Sequence, residues 1–142
     1  MFRKITITDK RLNNAMEILK LGEYGVLATS GEDGYPYAVP LSYVYDNAIY
    51  FHCASTGHKI DNIKYNDKVS FCVVGRAKTL PDELNVDYQS VIVFGRARII
   101  EGAEKHSALG KLMKKYAPES KCQTDATVVK IEIEHISAKG GK

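Results

Sequence analysis

The sequence lacks tryptophan, has only three cysteines, and contains no apolar run near the roughly 20 residues that a membrane helix needs. Cys53, Cys72 and Cys122 form no C-x-x-C pair, which argues against a structural zinc site and favours reduced thiols. Residues 1–14 show no apolar core of the kind found in signal peptides. We therefore expect a soluble, cytoplasmic protein with neither a membrane span nor a metal site.

An excess of charge of one sign is also missing. The chain carries 20 Lys and Arg against 17 Asp and Glu, a net charge of +3 over 142 residues. This excess suits a small anionic ligand but is too weak to indicate nucleic-acid binding. The length predicts one domain over residues 1–142, and no repeat or linker divides it.

The familiar signatures of self-sufficient catalysis are absent as well. The chain contains no G-x-S-x-G, H-E-x-x-H, Walker or G-x-G-x-x-G motif, and its four histidines are dispersed. It offers no carboxylate pair as an obvious acid and base. An enzyme built from this chain would need a cofactor that brings the reactive groups.

Hydrophobic periodicity shows which elements are present. It predicts helices over 9–21, around Ile60 and Ile63, and over 103–116. It predicts six strands, which are 25–30, 37–45, 48–54, 69–74, 90–100 and 127–134. Residues 77–87 read as a loop, and Gly95 inside a strand predicts a bulge or a close backbone approach. Short connections favour antiparallel pairing, so we expect a mainly β protein, a small closed barrel with peripheral helices.

One short helix start carries charges of the unexpected sign. Ser55 or Thr56 can cap this helix, and Gly57 allows close approach to the backbone, but His58 and Lys59 add positive charge to an end that is already positive. Each such charge costs about 0.3–1 kcal/mol unless something neutralises it. A bound phosphate would do so. The alternative is a solvated helix start with Lys59 in water, and these residues alone leave both open.

His52, in the strand just before this helix, has two interpretations of its own. It is either a wall residue of the sheet or a cleft residue one strand end away from the phosphate. Tyrosines 35, 37, 43, 45 and 50 could stack on a planar ligand, although tyrosines in β-proteins mostly pack across strands.

Four segments together resemble a known family: GEYGVLAT at 22–29, G-x-P-Y-x-V-P at 34–40, IYFHCASTGHKIDNI at 49–63 and SVIVFGRARII at 90–100. Their order and spacing resemble the nitroimidazole-resistance (Nim-type) proteins. These belong to the pyridoxamine 5′-phosphate oxidase-like FMN-binding split-barrel superfamily. The resemblance covers about residues 5–137.

The resemblance implies a six-stranded antiparallel split barrel that forms a homodimer with two FMN sites at the subunit interface. It implies that the flavin phosphate is held just after the third strand. The strand that contains Pro40, Leu41 and Ser42 would pass the flavin ring through its backbone groups, and Ser90 would touch flavin across the subunit interface. His52 is the candidate proton donor. In chain order the implied cofactor-binding residues are Pro40, Leu41, Ser42, His52, Cys53, Ser55, Thr56, Gly57, His58, Lys59 and Ser90.

The implied function is an FMN-dependent oxidoreductase that passes electrons from a reduced nucleotide or another donor to small acceptors such as nitroaromatics. Two alternatives share the same barrel: a flavin-binding or storage protein without turnover, and a haem- or deazaflavin-binding relative with His52 or His58 as a haem ligand. The chain departs from authentic pyridoxamine phosphate oxidases, because it lacks their C-terminal tryptophan and ends ISAKGGK. We therefore do not expect the vitamin B6 reaction.

Overall fold

The computed structural model describes residues 9–80, 85–119 and 126–140. Three helices are present in these residues: α1 (Asp9–Leu21), α2 (His58–Tyr65) and α3 (Gly102–Tyr116). The strands are β1 (Gly25–Ser30), β2 (Pro36–Leu41), β3 (Val44–Tyr45), β4 (Ile49–Cys53), β5 (Lys68–Leu80), β6 (Asn85–Ile100) and β7 (Thr127–Gly140). None of these helices is both long and apolar enough to cross a membrane.

All strands join one antiparallel sheet in the order β2-β1-β5-β6-β7-β4-β3. The two ends of this order, β2 and β3, follow each other in the chain and are separated only by Ser42 and Tyr43. The sheet must therefore curl until its two ends meet, which gives a barrel that is split between β2 and β3. The predicted mainly β, antiparallel split barrel with peripheral helices is confirmed, but it has seven strands in the described residues and not six, because the strand predicted over 37–45 is divided into β2 and β3.

The core lies inside the curl of the sheet. Paired residues of antiparallel strands point to the same face, and the row Leu27, Phe71 and Val93 is fully buried. Leu19 of α1 and Ile60 of α2 join this core. A second cluster, which includes Tyr50 and Val128, packs under α3 on the other side of the sheet.

The strand predicted over 37–45 is broken at Ser42 and Tyr43. Tyr43 is fully buried, its hydroxyl donates to the Leu19 carbonyl oxygen (2.6 Å), and its backbone N–H donates to the Tyr116 hydroxyl (3.1 Å). The chain leaves the ladder here to bond with α1 and α3. The partial alternation of residue types along 37–45 gives no sign of this corner.

The loop predicted over 77–87 is wrong. Strands β5 and β6 stay paired to Leu80 and Asn85, after a register irregularity between Val74 and Arg76. Residues 81–84 lie outside the described part of the chain. The polar sequence AKTLPDELNVD reads as a loop because a two-stranded arm needs no regular alternation of apolar residues.

The predicted bulge at Gly95 is confirmed. The pairing of β6 with β7 shifts register between Phe94 and Gly95, and a Cβ at Gly95 would lie 2.1 Å from the Glu132 carbonyl oxygen. The missing side chain therefore lets two backbones approach each other.

Candidate functional site

The start of α2 is open to solvent. Residues 54–58 are all exposed, and the N-cap residue is Gly57, with no side chain capping the helix. The prediction that Ser55 or Thr56 caps α2 is therefore wrong, because the helix begins one residue beyond Gly57. The first backbone N–H groups of a helix have no intrahelical partner, so these N–H groups and the hydroxyls of Ser55 and Thr56 are free to contact a ligand.

Gly57 has a conformational role at this helix start. Its φ of 139° lies in a region that other residues rarely adopt, and a Cβ there would meet nothing within 4 Å. The residue is thus required by the backbone conformation and not by crowding. The space beside it stays open for a group that approaches the helix start.

His58 and Lys59 are held between two strands. The His58 ring stacks on Tyr37 of β2 with centroids 4.3 Å apart, and Lys59 Nζ lies 5.6 Å from the ring centroid of Phe51 in β4. Among the described residues, Lys59 forms no ion pair with a carboxylate. The positive charge that the sequence placed at this helix start is therefore not neutralised by the Asp61 side chain in the same turn.

A groove of about 510 Å³ adjoins the helix start. Three carboxylates, those of Glu32, Asp33 and Asp61, line it together with Gly57, His58, Asn62 and Tyr65. Negative charge therefore lies beside Gly57 and His58, whereas Lys59 does not line this groove.

A buried hydrogen bond fixes α2 to the sheet. The Asn62 side-chain amide donates to the Thr29 hydroxyl of β1 at 3.0 Å, and both residues are buried. Because Asn62 lies one turn beyond His58 in this short helix, the bond also determines where the helix start lies.

Replacing Thr29 by valine should lower the free energy of unfolding by about 1–3 kcal/mol, because it leaves the buried Asn62 amide without its acceptor. Urea unfolding followed by circular dichroism measures this change. The double variant Thr29→Val with Asn62→Leu removes both polar groups and should recover part of the loss. A single variant as stable as the wild type would show that the bond contributes nothing.

His52 and Cys53 lie on opposite faces of β4. Phe51 and Cys53 face the main core, whereas Tyr50 packs in the cluster under α3 and His52 is exposed. Burial raises the pKa of the Cys53 thiol, and the nearby Lys59 charge lowers it less. Cys53 is therefore a neutral thiol near pH 7. His52 is accessible on the outer surface of the barrel.

Pro40, Leu41 and Ser42 lie at the split of the barrel. Leu41 packs against the core, whereas Pro40 and Ser42 are exposed. β2 is the last strand of the sheet, so one of its edges faces no partner strand among the described residues. Tyr37 beside the helix start and Ser42 are five residues apart, about 17 Å along an extended strand. A free backbone edge thus runs from the helix start to the β2–β3 corner.

Within one chain, Ser90 lies far from the predicted cofactor-binding residues of β2. It lies on β6, which is three strand spacings from β2, or about 14 Å. Ser90 pairs with Val74 and points to the same side of the sheet as Ile92, but only 8% of Ser90 is exposed.

Part of the side of the sheet that carries Ser90 lacks strongly charged residues. We call it the outer sheet face and define it by two rows of paired residues, which are Pro40, Val26, Cys72, Ile92 and Ser137, and Ala38, Ala28, Ser70, Phe94 and His135. Neither row contains Asp, Glu, Lys or Arg. No described element of the chain crosses this face. The sequence alone does not reveal this face, because its rows depend on which residues of neighbouring strands are paired.

Sequence reasoning missed a polar cluster at the β2–β3 corner. Lys115 Nζ donates to the carbonyl oxygens of Gly22 (2.6 Å) and Tyr43 (2.9 Å), and the Tyr116 hydroxyl lies 2.8 Å from the same Tyr43 oxygen. Burial raises the pKa of Tyr43 and lowers the pKa of Lys115. No local pattern could have indicated contacts between residues 72 positions apart.

With this geometry in place, comparison with known proteins identifies the class. Residues 12–140 match the model of the pyridoxamine 5′-phosphate oxidase family, and the chain belongs to that family. The family includes flavin-dependent enzymes, and its relatives bind flavin or, in some cases, haem. A comparison with curated proteins gave no match.

Several solved structures share the fold. A candidate 5-nitroimidazole antibiotic resistance protein from Bacteroides thetaiotaomicron is 22% identical, with a TM-score of 0.78 over 94% of this chain and 85% of that one. An FAD-binding protein from Mesorhizobium loti is 25% identical, with a TM-score of 0.66 over 89% and 91%. The haem storage protein HutZ from Vibrio cholerae is 14% identical, with a TM-score of 0.70 over 90% and 92%.

Proposed function

We propose that the protein is an FMN-binding oxidoreductase that passes electrons from a reduced donor to a small organic acceptor such as a nitroaromatic. The observation that carries the proposal is the uncapped, positively charged start of α2, joined to the free edge of β2. An elongated ligand with a phosphate at one end and a planar polar ring at the other fits this arrangement. Similarity to the candidate 5-nitroimidazole resistance protein supports the choice of acceptor.

Each predicted residue has a distinct part in this proposal. Lys59 and the first N–H groups of α2 hold the phosphate, with the hydroxyls of Ser55 and Thr56 beside them. His58 is kept in place by its stack on Tyr37. The β2 edge at residues 40–42 binds the polar rim of the ring through backbone groups. Bound flavin supplies the redox chemistry.

We assign His52 the role of proton donor to the acceptor. It is the exposed imidazole on the strand that leads into the phosphate site. Cys53 contributes packing, because its thiol is neutral and half-buried. Replacing His52 by Gln should therefore slow acceptor reduction more than it weakens FMN binding.

We further propose that a second copy of the chain covers the outer sheet face, which makes a homodimer. The two rows of this face contain no Asp, Glu, Lys or Arg, and Ile92 in one of them is 37% exposed. Exposed apolar residues of this kind often mark an interaction surface, and the family resemblance implies that Ser90 touches flavin across a subunit interface.

The dimer is tested by light scattering after size exclusion. Ile92→Lys places a charge at the centre of the outer sheet face and should give monomers, whereas Ser107→Lys, on the exposed side of α3, should leave the dimer intact. A wild-type protein that elutes as a monomer would refute the dimer.

One experiment separates the candidate functions. The purified protein, titrated with FMN, should show a flavin spectrum and bind FMN more tightly than riboflavin, which has no phosphate. Consumption of NADPH in the presence of a nitroaromatic then tests turnover. A Soret band in the spectrum would instead support haem binding, and flavin binding without turnover would support storage.

A further inference from the structure

Lys115 is an unusual cation in this structure. It lies in the last turn of α3, is half-buried, and directs its ammonium group at the carbonyl oxygens of Gly22 and Tyr43, at 2.6 and 2.9 Å. The same nitrogen lies 4.1 Å from the centroid of the Tyr43 ring and 5.1 Å from that of Tyr116. No carboxylate of the described residues pairs with it.

Three other cations near α3 and the sheet are paired with carboxylates. Lys130 pairs with Glu104 at 2.7 Å, Arg98 with Glu132 at 3.0 Å, and Lys111 with Asp46. Lys115 therefore leaves an uncompensated positive charge in a partly buried place. The negative end of the α3 dipole, the two carbonyl oxygens and the two aromatic faces favour its charged form, against the opposing effect of burial.

This charge lies at the β2–β3 corner. Tyr43, whose carbonyl Lys115 holds, directly follows Ser42 in the chain. The Tyr116 hydroxyl contacts the same carbonyl and the Ser42 side chain, so the last turn of α3 also fixes the position of the corner. The corner is the end of the β2 edge that lies farthest from the phosphate site.

We propose that Lys115 raises the reduction potential of the flavin bound along β2 through its charge, which its hydrogen bonds to the Gly22 and Tyr43 carbonyl oxygens hold at the β2–β3 corner. The inference rests on the proposed FMN binding. When two electrons from the donor enter the ring with one proton, the ring gains negative charge, and a nearby fixed cation stabilises that charge. Lys115 need not touch the ring to do so.

The size of the effect follows from electrostatics. At an effective dielectric constant of about 20, a unit charge within roughly 12 Å changes such an equilibrium about tenfold. A tenfold change corresponds to about 30 mV for a two-electron couple. Removing the charge should therefore lower the flavin potential by that amount.

The test compares Lys115→Met with Lys114→Met. Both remove one ammonium group from the same turn of α3, but Lys114 is exposed. The potential of bound FMN, measured by equilibration with a redox dye, should fall by about 30 mV in Lys115→Met and stay at the wild-type value in Lys114→Met. Bound FMN with an unchanged potential in Lys115→Met would overturn the inference.

A second variant covers the case in which Lys115→Met does not fold. Lys115→Gln retains a neutral donor for the corner carbonyls, and its potential should fall by the same amount. A wild-type potential in that variant would equally overturn the inference. If the wild-type protein binds no FMN, the proposed function fails and this inference fails with it. If the wild type binds FMN and neither variant changes the potential, only the role of Lys115 is refuted.

Discussion

Replacing Lys59 by glutamine should weaken FMN binding about 10- to 100-fold and leave riboflavin binding unchanged. A hydrogen bond to a charged group contributes about 1.5–3 kcal/mol, and each 1.4 kcal/mol is about tenfold in affinity. Lys59 has no carboxylate partner among the described residues, so its whole charge is available to the phosphate. Because riboflavin has no phosphate, its affinity isolates any effect on the ring site.

Quenching of flavin fluorescence measures both affinities in the same buffer. Lys64→Gln is the matched control, because Lys64 is exposed in the last turn of the same helix. It removes an equal charge at the opposite end of α2 and should change neither affinity. If Lys59→Gln lowered FMN and riboflavin affinity equally, Lys59 would act through the fold and not through the phosphate. If it changed neither, the phosphate assignment would be wrong.

Hydrophobic periodicity was sufficient to predict the helices and strands that pack one side on the core along their length. β7 alternates Val129, Ile131 and Ile133 with charged residues up to Glu134, where its predicted end lies although the strand continues to Gly140, and α1 ends at Leu21 as predicted. One side of each of these elements packs on the core, so the residue pattern follows the burial. The same logic fails at Tyr43, whose burial depends on Leu19 and Tyr116 rather than on its neighbours in the chain.

Some features of the candidate site could likewise be predicted from the sequence, and others could not. The position and charge of the α2 start were predictable, because its residues are consecutive and the sign of their charge conflicts with the helix dipole, but the absence of a side-chain cap was not. The outer sheet face was not, because it depends on which residues of β1, β5 and β6 are paired. Lys115 reads as an ordinary basic residue of a helix end until the fold places Tyr43 beside it.

Replacing Gly95 by alanine should have the largest effect on stability, a loss of about 3 kcal/mol, which is the upper range for inserting atoms into packed structure. The added Cβ would lie 2.1 Å from the Glu132 carbonyl oxygen and 3.0 Å from its carbonyl carbon. These atoms belong to the backbone of β7, so relief requires the β6–β7 ladder to open. That ladder joins the two halves of the sheet, and the melting temperature should fall by about 10 °C.

Gly110→Ala is the matched control, because it adds the same methyl group in α3, where nothing lies within 4 Å of the new Cβ. Alanine favours the helix over glycine by about 1 kcal/mol, so this variant should be slightly more stable than the wild type. Thermal unfolding of the two variants should therefore give shifts of opposite sign. If Gly95→Ala melted within a few degrees of the wild type, the bulge would have room to relax, and the close approach of β6 and β7 would not be what requires glycine there.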